Sequence, residues 1–285
     1  VAAQPTVAVA QAGGTCPDRS AWTLAVAGPD ETQEVTLVGG ARYLGRVLET
    51  GDPVRFELLS GDVLELAHAR ITCLRTVPGT RTDGDFWHED PNTTRLFFGP
   101  TGRALRRGEG YFSVVEIIMP FVSVGVTDRL TLSGGTPLIF TSSGPEVVWL
   151  APKLQVIRTE GFDASVGVLG FLARGEDESI GVLYAVGTWG RTPDRALTLG
   201  VGWGYDTGDG IHETPAFMLG GEARMTRGTK FITENYYFPA GDFAIISAGP
   251  RFFGEKLTAD LGLAMPIHED AELFIFPLIN FAWNW

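Results

Sequence analysis

Eight ionisable residues, Glu116, Arg129, Lys153, Glu222, Arg224, Glu234, Arg251 and Asp260, with the polar Gln155, stand on the small or polar side of segments whose other side is bulky and apolar. Brought together, they would line a common space with mixed charge. Two chemistries are open to such a set: a constriction that selects solutes by charge, or ion pairs that fill and rigidify an interior. A turn centred on Gly228 places Glu222 nearly opposite Glu234, with Arg224 diagonal to Glu234, and a turn at Glu255 and Lys256 places Arg251 opposite Asp260. Such cross-strand neighbours are within reach of long side chains.

Other chemistry finds less support in the residues. Nucleophilic catalysis needs a positioned base, and the four histidines, His68, His88, His212 and His268, fall on separate segments. No serine sits in a G-x-S-x-G elbow, so no catalytic residue is assigned and a barrel hydrolase stays a minor alternative. Acids cluster in connecting segments, at Glu176, Asp177, Glu178, Asp206, Asp209, Glu213, Glu269 and Asp270. They match no twelve-residue calcium loop and read as solvated turns; no metal and no cofactor is expected. The glycines of GVGWGYDTGDG alternate along a strand instead of opening a helix, so they form no nucleotide fingerprint.

The elements that must carry these side chains are strands. From residue 93 onward twelve strand-like runs follow one another, the first two at 93–99 and 110–126 and the last at 273–285. In that last run Ile275, Pro277, Ile279, Phe281, Trp283 and Trp285 share one face, and Asn280, Ala282 and Asn284 the other, a period of two. Leu197, Leu199, Val201, Trp203 and Tyr205 likewise oppose Ala196, Thr198, Gly200, Gly202 and Gly204. About eight strands already make an interior that side chains just fill. A twelve-stranded barrel with bulky residues outward in lipid and small or charged residues inward therefore fits better than a soluble barrel with the faces reversed. Tyr205, Tyr236, Tyr237, Phe238, Trp283 and Trp285 would then form interfacial girdles. Counting strands places GPTGRALRRGEG, between the first two runs, among the longer connections of the external side.

Residues 1 to 90 have another texture, with four or five short strands broken by Gly-Gly, Thr-Gly-Asp-Pro and Ser-Gly-Asp, and read as a small β-meander or partly open barrel. VPGTRTDGDFWHEDPNTT after it reads as a linker. The 285 residues thus divide into a β-domain at 1–90, expected on the periplasmic side, and a barrel at 91–285. The 37 glycines and 17 prolines suit tight turns. A formal charge of −12 without a basic block makes nucleic acid an unsuitable partner. VAAQPTVAVAQAGG resembles the tail of an export signal, and Cys16 and Cys73 fit one disulfide in an oxidising compartment.

Phe281, Trp283 and Trp285 resemble the terminal aromatic signal that barrel-insertion machinery reads in bacterial outer-membrane proteins, with Trp in place of the usual last Phe. DPNTTRLFFGPTGRALRRGEGYFSVVEIIMPFVSVGVTDRLTLSGG and GGEARMTRGTKFITENYYF resemble segments of an uncharacterised bacterial outer-membrane β-barrel family, over roughly residues 90–285. The resemblance implies a barrel in the outer membrane, with lipid and the insertion machinery as partners, and transfers no catalytic residue. Three functions follow: a narrow passive channel for small polar solutes, a closed barrel that anchors the N-terminal domain or a protein partner, and, as a further alternative, a soluble exported ligand-binding barrel.

Overall fold

The structure is a computed structural model that describes residues 23–28, 31–82, 85–138, 147–173, 175, 178–192, 194–268 and 274–285. Cys16 and most of the start of the chain, with Glu176, Asp177, Glu269 and Asp270, lie outside the described residues. The chain divides into two units, 1–89 and 90–285.

In the first unit β1 (Thr32–Leu37), β2 (Arg42–Glu49), β3 (Val54–Leu58), β4 (Val63–Leu66) and β5 (Ile71–Val77) form a sheet in the order β4-β3-β2-β1-β5. Alternation turns Val35, Val47, Val54, Phe56 and Ile71 into a common core, each essentially free of solvent. Cys73 is buried in β5, and its expected partner Cys16 is outside the described residues. The segment expected to be a linker instead forms a hairpin, β6 (Gly79–Thr82) with β7 (Asp85–His88). Its Gly, Asp and Thr suggest a loop by composition, but Asp83-Gly84 between two short β-forming runs is also the strongest local hairpin signal.

The second unit is a closed, up-and-down antiparallel barrel of twelve strands among the described residues. They are β8 (Gly110–Val115), β9 (Met119–Gly125), β10 (Leu130–Gly135), β11 (Val147–Arg158), β12 (Phe162–Ala173), β13 (Ser179–Thr192) and β14 (Arg195–Asp206), then, after the two-residue β15 (Gly210–Ile211) paired to the end of β14, β16 (Ala216–Thr226), β17 (Thr229–Phe238), β18 (Phe243–Phe253), β19 (Leu257–Ile267) and β20 (Phe276–Asn284). Each pairs with its sequence neighbour, and β20 closes on β8, with Asn284 opposite Tyr111 and Asn280 opposite Val115. The strands from β11 onward, β15 apart, have 9 to 14 residues, against the roughly 9 to 11 a tilted strand needs to cross a bilayer core.

Burial follows the strand period in inverted order. Leu154, Leu197, Leu199, Leu219, Phe231, Phe252, Leu261 and Phe281 are exposed on the outside, while Ser123, Thr131, Gln155, Ser165, Thr188, Thr198, Ser247, Thr258 and Asn280 are buried inside. A soluble barrel would show the reverse, so the soluble alternative is set aside. Trp283 and Trp285 face outward with Phe281, their ring centroids 5.7 Å apart.

Two expectations about the strands are corrected. Residues 110–126 are two strands, joined at Glu116 and Ile117, both with left-handed φ (49° and 66°). Residues 93–99 are no barrel strand but part of a segment folded into the lumen. Total strand number is unchanged because one error offsets the other. Tyr236 is no girdle residue either, since the parity of β17 turns it inward, where its hydroxyl donates to Glu234 at 2.7 Å.

The inverted faces predict the effect of a charge placed outside. Leu199→Arg, near the middle of β14, is expected to cost about 2–4 kcal/mol, read by urea unfolding in lipid vesicles. Leu199→Ile, which keeps an apolar side chain at the same outward position, should change stability by less than about 0.5 kcal/mol.

Candidate functional site

Residues 90–109 enter the barrel beside Trp285, turn within it and return to Gly110 at the start of β8. Asp90 opens the path by accepting the Asn92 N–H at 2.9 Å. A hairpin follows: the Thr101 N–H donates to the Thr94 carbonyl at 3.1 Å, and the Leu96 N–H to the Gly99 carbonyl at 2.8 Å across the tip Leu96-Phe97-Phe98-Gly99. Leu96 and Phe97 are fully buried and pack with Ile232, Ala264 and Leu278 of the wall. Close approach explains two wall glycines: a Cβ on Gly220 would overlap Leu96, and one on Gly262 would lie 3.0 Å from the Phe97 ring.

The hairpin's backbone groups have few partners of their own, and each left unpaired in an enclosed space is costly. Wall side chains supply them. Lys153 Nζ donates to the carbonyls of Thr94, Thr101 and Arg103 at 3.0, 3.1 and 2.6 Å. Glu234 accepts the N–H groups of Phe98 and Gly99, both at 3.0 Å. Thr188 accepts the Gly102 N–H, Ser165 donates to its carbonyl, and Thr131 accepts the Leu105 N–H. Opposite ends of the same hairpin are thus held by an ammonium that reads carbonyls and a carboxylate that reads amides.

Beside the hairpin runs a chain of eight charges with alternating sign. Arg95 meets Asp260 at 2.7 Å, Asp260 meets Arg251 at 2.6 Å, and Arg251 meets Asp90 at 3.2 Å. Asp90 meets Lys230 at 3.2 Å, Lys230 meets Glu222 at 2.9 Å, Glu222 meets Arg103 at 2.6 Å, and Arg103 meets Asp163 at 3.7 Å. Four cations and four carboxylates give zero formal charge. Burial alone would raise the Asp90 carboxyl, but Lys230 and Arg251 outweigh it and hold the group well below the ordinary carboxylate range. Arg251 also donates to the carbonyls of Asn92, Arg95 and Leu96, so the same guanidinium ties charges and hairpin together.

The structure brings five of the eight expected residues, Lys153, Glu222, Glu234, Arg251 and Asp260, into this buried interior. Gln155 joins them, donating to Asp163 at 2.8 Å. Arg251 stands opposite Asp260 in register. Glu222 stands opposite Ile232, not Glu234, and bonds Lys230 instead. Arg224 lies at the rim, paired with Asp194 at 2.9 Å. Two residues are corrected. Glu116 belongs to the β8–β9 turn, where its carboxylate accepts the Ile279 N–H, and Arg129 is exposed in the turn before β10, so neither sits on a strand whose parity fixes its face.

Residues not foreseen complete the site: Asp90, Asn92, Arg95, Arg103, Asp163 and Lys230. Lys230 shares the parity of Glu234 and Asp163 that of Ser165, so both could have been counted inward. The others lie in segments read as linker, strand and external connection, where no period marks them.

Among the described residues no group of three or more His, Cys, Asp or Glu is placed to hold a metal. No family model matches the chain, and no curated protein does. Solved structures similar to it include a KdgM porin in complex with disordered oligogalacturonate, with 7% identity and a TM-score of 0.42 over 62% of this chain and 95% of that one. A KdgM porin alone has 6% identity and a TM-score of 0.41 over 62% and 95%. A NanC porin has 10% and 0.39 over 61% and 97%. Likeness this distant assigns no role.

Asp260 is the only carboxylate shared by Arg95 and Arg251 among the described residues. Asp260→Asn should therefore destabilise the barrel by about 3–5 kcal/mol, the usual cost of stripping one partner from a buried pair. Chemical denaturation in vesicles, monitored by loss of heat-resistant gel mobility, measures it.

Proposed function

We propose that the chain is an outer-membrane β-barrel whose lumen is a narrow passage for small polar solutes, constricted by its own residues 90–109. The supporting observation is the inverted distribution of side chains, apolar towards lipid and ionisable towards the lumen. Lipid is then the partner of the outward face, and Phe281, Trp283 and Trp285 are the residues that insertion machinery would read. Residues 1–89 would be a periplasmic unit.

A second reading is favoured by the charge chain. Each of its eight groups touches an opposite charge, which is how a filled interior is held as well as how a selective one is built. On that reading the barrel is a closed anchor for the N-terminal unit or for a protein partner.

Planar-bilayer recording separates the two. The native barrel is expected to pass small currents, and Gly220→Leu, which displaces Leu96 from its seat, should enlarge them severalfold. Glu222→Ala leaves Lys230 and Arg103 with one carboxylate fewer and should shift selectivity towards anions. Selectivity unchanged in a conducting Glu222→Ala barrel would contradict the channel reading. Absence of current from both the native and Gly220→Leu proteins would favour the closed anchor.

A further inference from the structure

The inward faces of β8 to β12 change character along the barrel axis. Towards the Trp285 end they carry Thr131, Lys153, Gln155 and Ser165, and towards the opposite end Met119, Phe121, Trp149, Leu169 and Phe171. Phe121 and Trp149 stand 5.2 Å apart between ring centroids. Phe98 of the hairpin tip, 42% exposed, closes the remaining side. These groups line a partly open cavity of about 300 Å³. In a barrel that spends its polar residues on its interior, an apolar chamber there serves neither lipid contact nor hydration of a solute path.

We propose that this chamber is a binding site for one apolar, ring-containing small molecule. Its size is at the lower end of the range for small-molecule sites, and an apolar cavity of about 150 Å³ already accepts one benzene. Most of its polar lining is already committed, with Thr94 Oγ1 and one Arg95 guanidinium nitrogen left without a partner. Ser123 and Ser133 bond each other at 2.7 Å, Thr131 accepts the Leu105 N–H, and all three protons of the Lys153 ammonium are given to hairpin carbonyls. A sugar or another many-hydroxyl solute would lose its water and find few partners, whereas an aromatic ring stacks against Phe98, Phe121 and Trp149 without needing any. The site requires the folded barrel but not conduction, so it stands or falls apart from the channel reading.

Naphthol titrated by fluorescence into the full-length protein in lipid nanodiscs tests this. Saturable binding of one molecule per barrel is expected, weakened at least tenfold by Ala151→Trp, which fills the chamber from β11. Met119→Trp fills it from the other side and serves if Ala151→Trp loses heat-resistant gel mobility. Equal uptake by native protein, the filled variants and empty nanodiscs would be partition into lipid and would overturn the proposal. Saturable binding of glucose without binding of naphthol would overturn it equally.

Discussion

A charged side chain on the inner face of a membrane barrel has nowhere else to go, because the other face of the same strand meets hydrocarbon. The strand period forces the choice residue by residue, and no rotamer reverses it. Every inward charge must then find water or an opposite charge inside. Among the described residues, five wall charges and three from residues 90–109 find each other in sequence from Arg95 to Asp163, while Lys153 and Glu234 find backbone instead.

Residues 90–109 depend on that arrangement as much as they complete it. Three of the eight members, Arg95 and Arg103 and Asp90, come from the inserted segment, while the wall contributes Asp163, Glu222, Lys230, Arg251 and Asp260. Without the segment the wall alone would hold two cations against three carboxylates; with it the charges balance. The segment in turn, a hairpin too short to satisfy its own backbone, borrows donors and acceptors from the wall. Wall and insert therefore form one cooperative unit, and removal of either leaves buried groups unpaired.

Much of the barrel was legible because lipid on one side and a polar lumen on the other impose a clean alternation, as in Leu197 to Tyr205 or Ile275 to Trp285. Two features escaped for physical reasons. Glu116 and Ile117 turn sharply in the left-handed region without glycine or proline, and the turn is held by pairing with Ile279 of β20, a contact remote in sequence. Thr93 to Gly99 is a short run of β-branched and large apolar residues that passes for a strand, and nothing local distinguishes a hairpin satisfied by its neighbours from one satisfied by the next strand. The site was half legible for the same reason: residues on strands, such as Arg251 and Asp260, declare their face by parity, whereas Asp90 and Arg103 declare theirs only once the fold brings them inside.

The central claim is that the Leu96 to Gly99 tip sits inside the barrel wall. Methyl-labelled protein in nanodiscs tests it by nuclear Overhauser contacts. Cross-peaks between the Leu96 methyls and the α-protons of Gly220 are the predicted result, since Leu96 occupies the space a Gly220 side chain would take. Leu96 methyls with no contact to Gly220, and with cross-peaks to bulk water instead, would contradict the account.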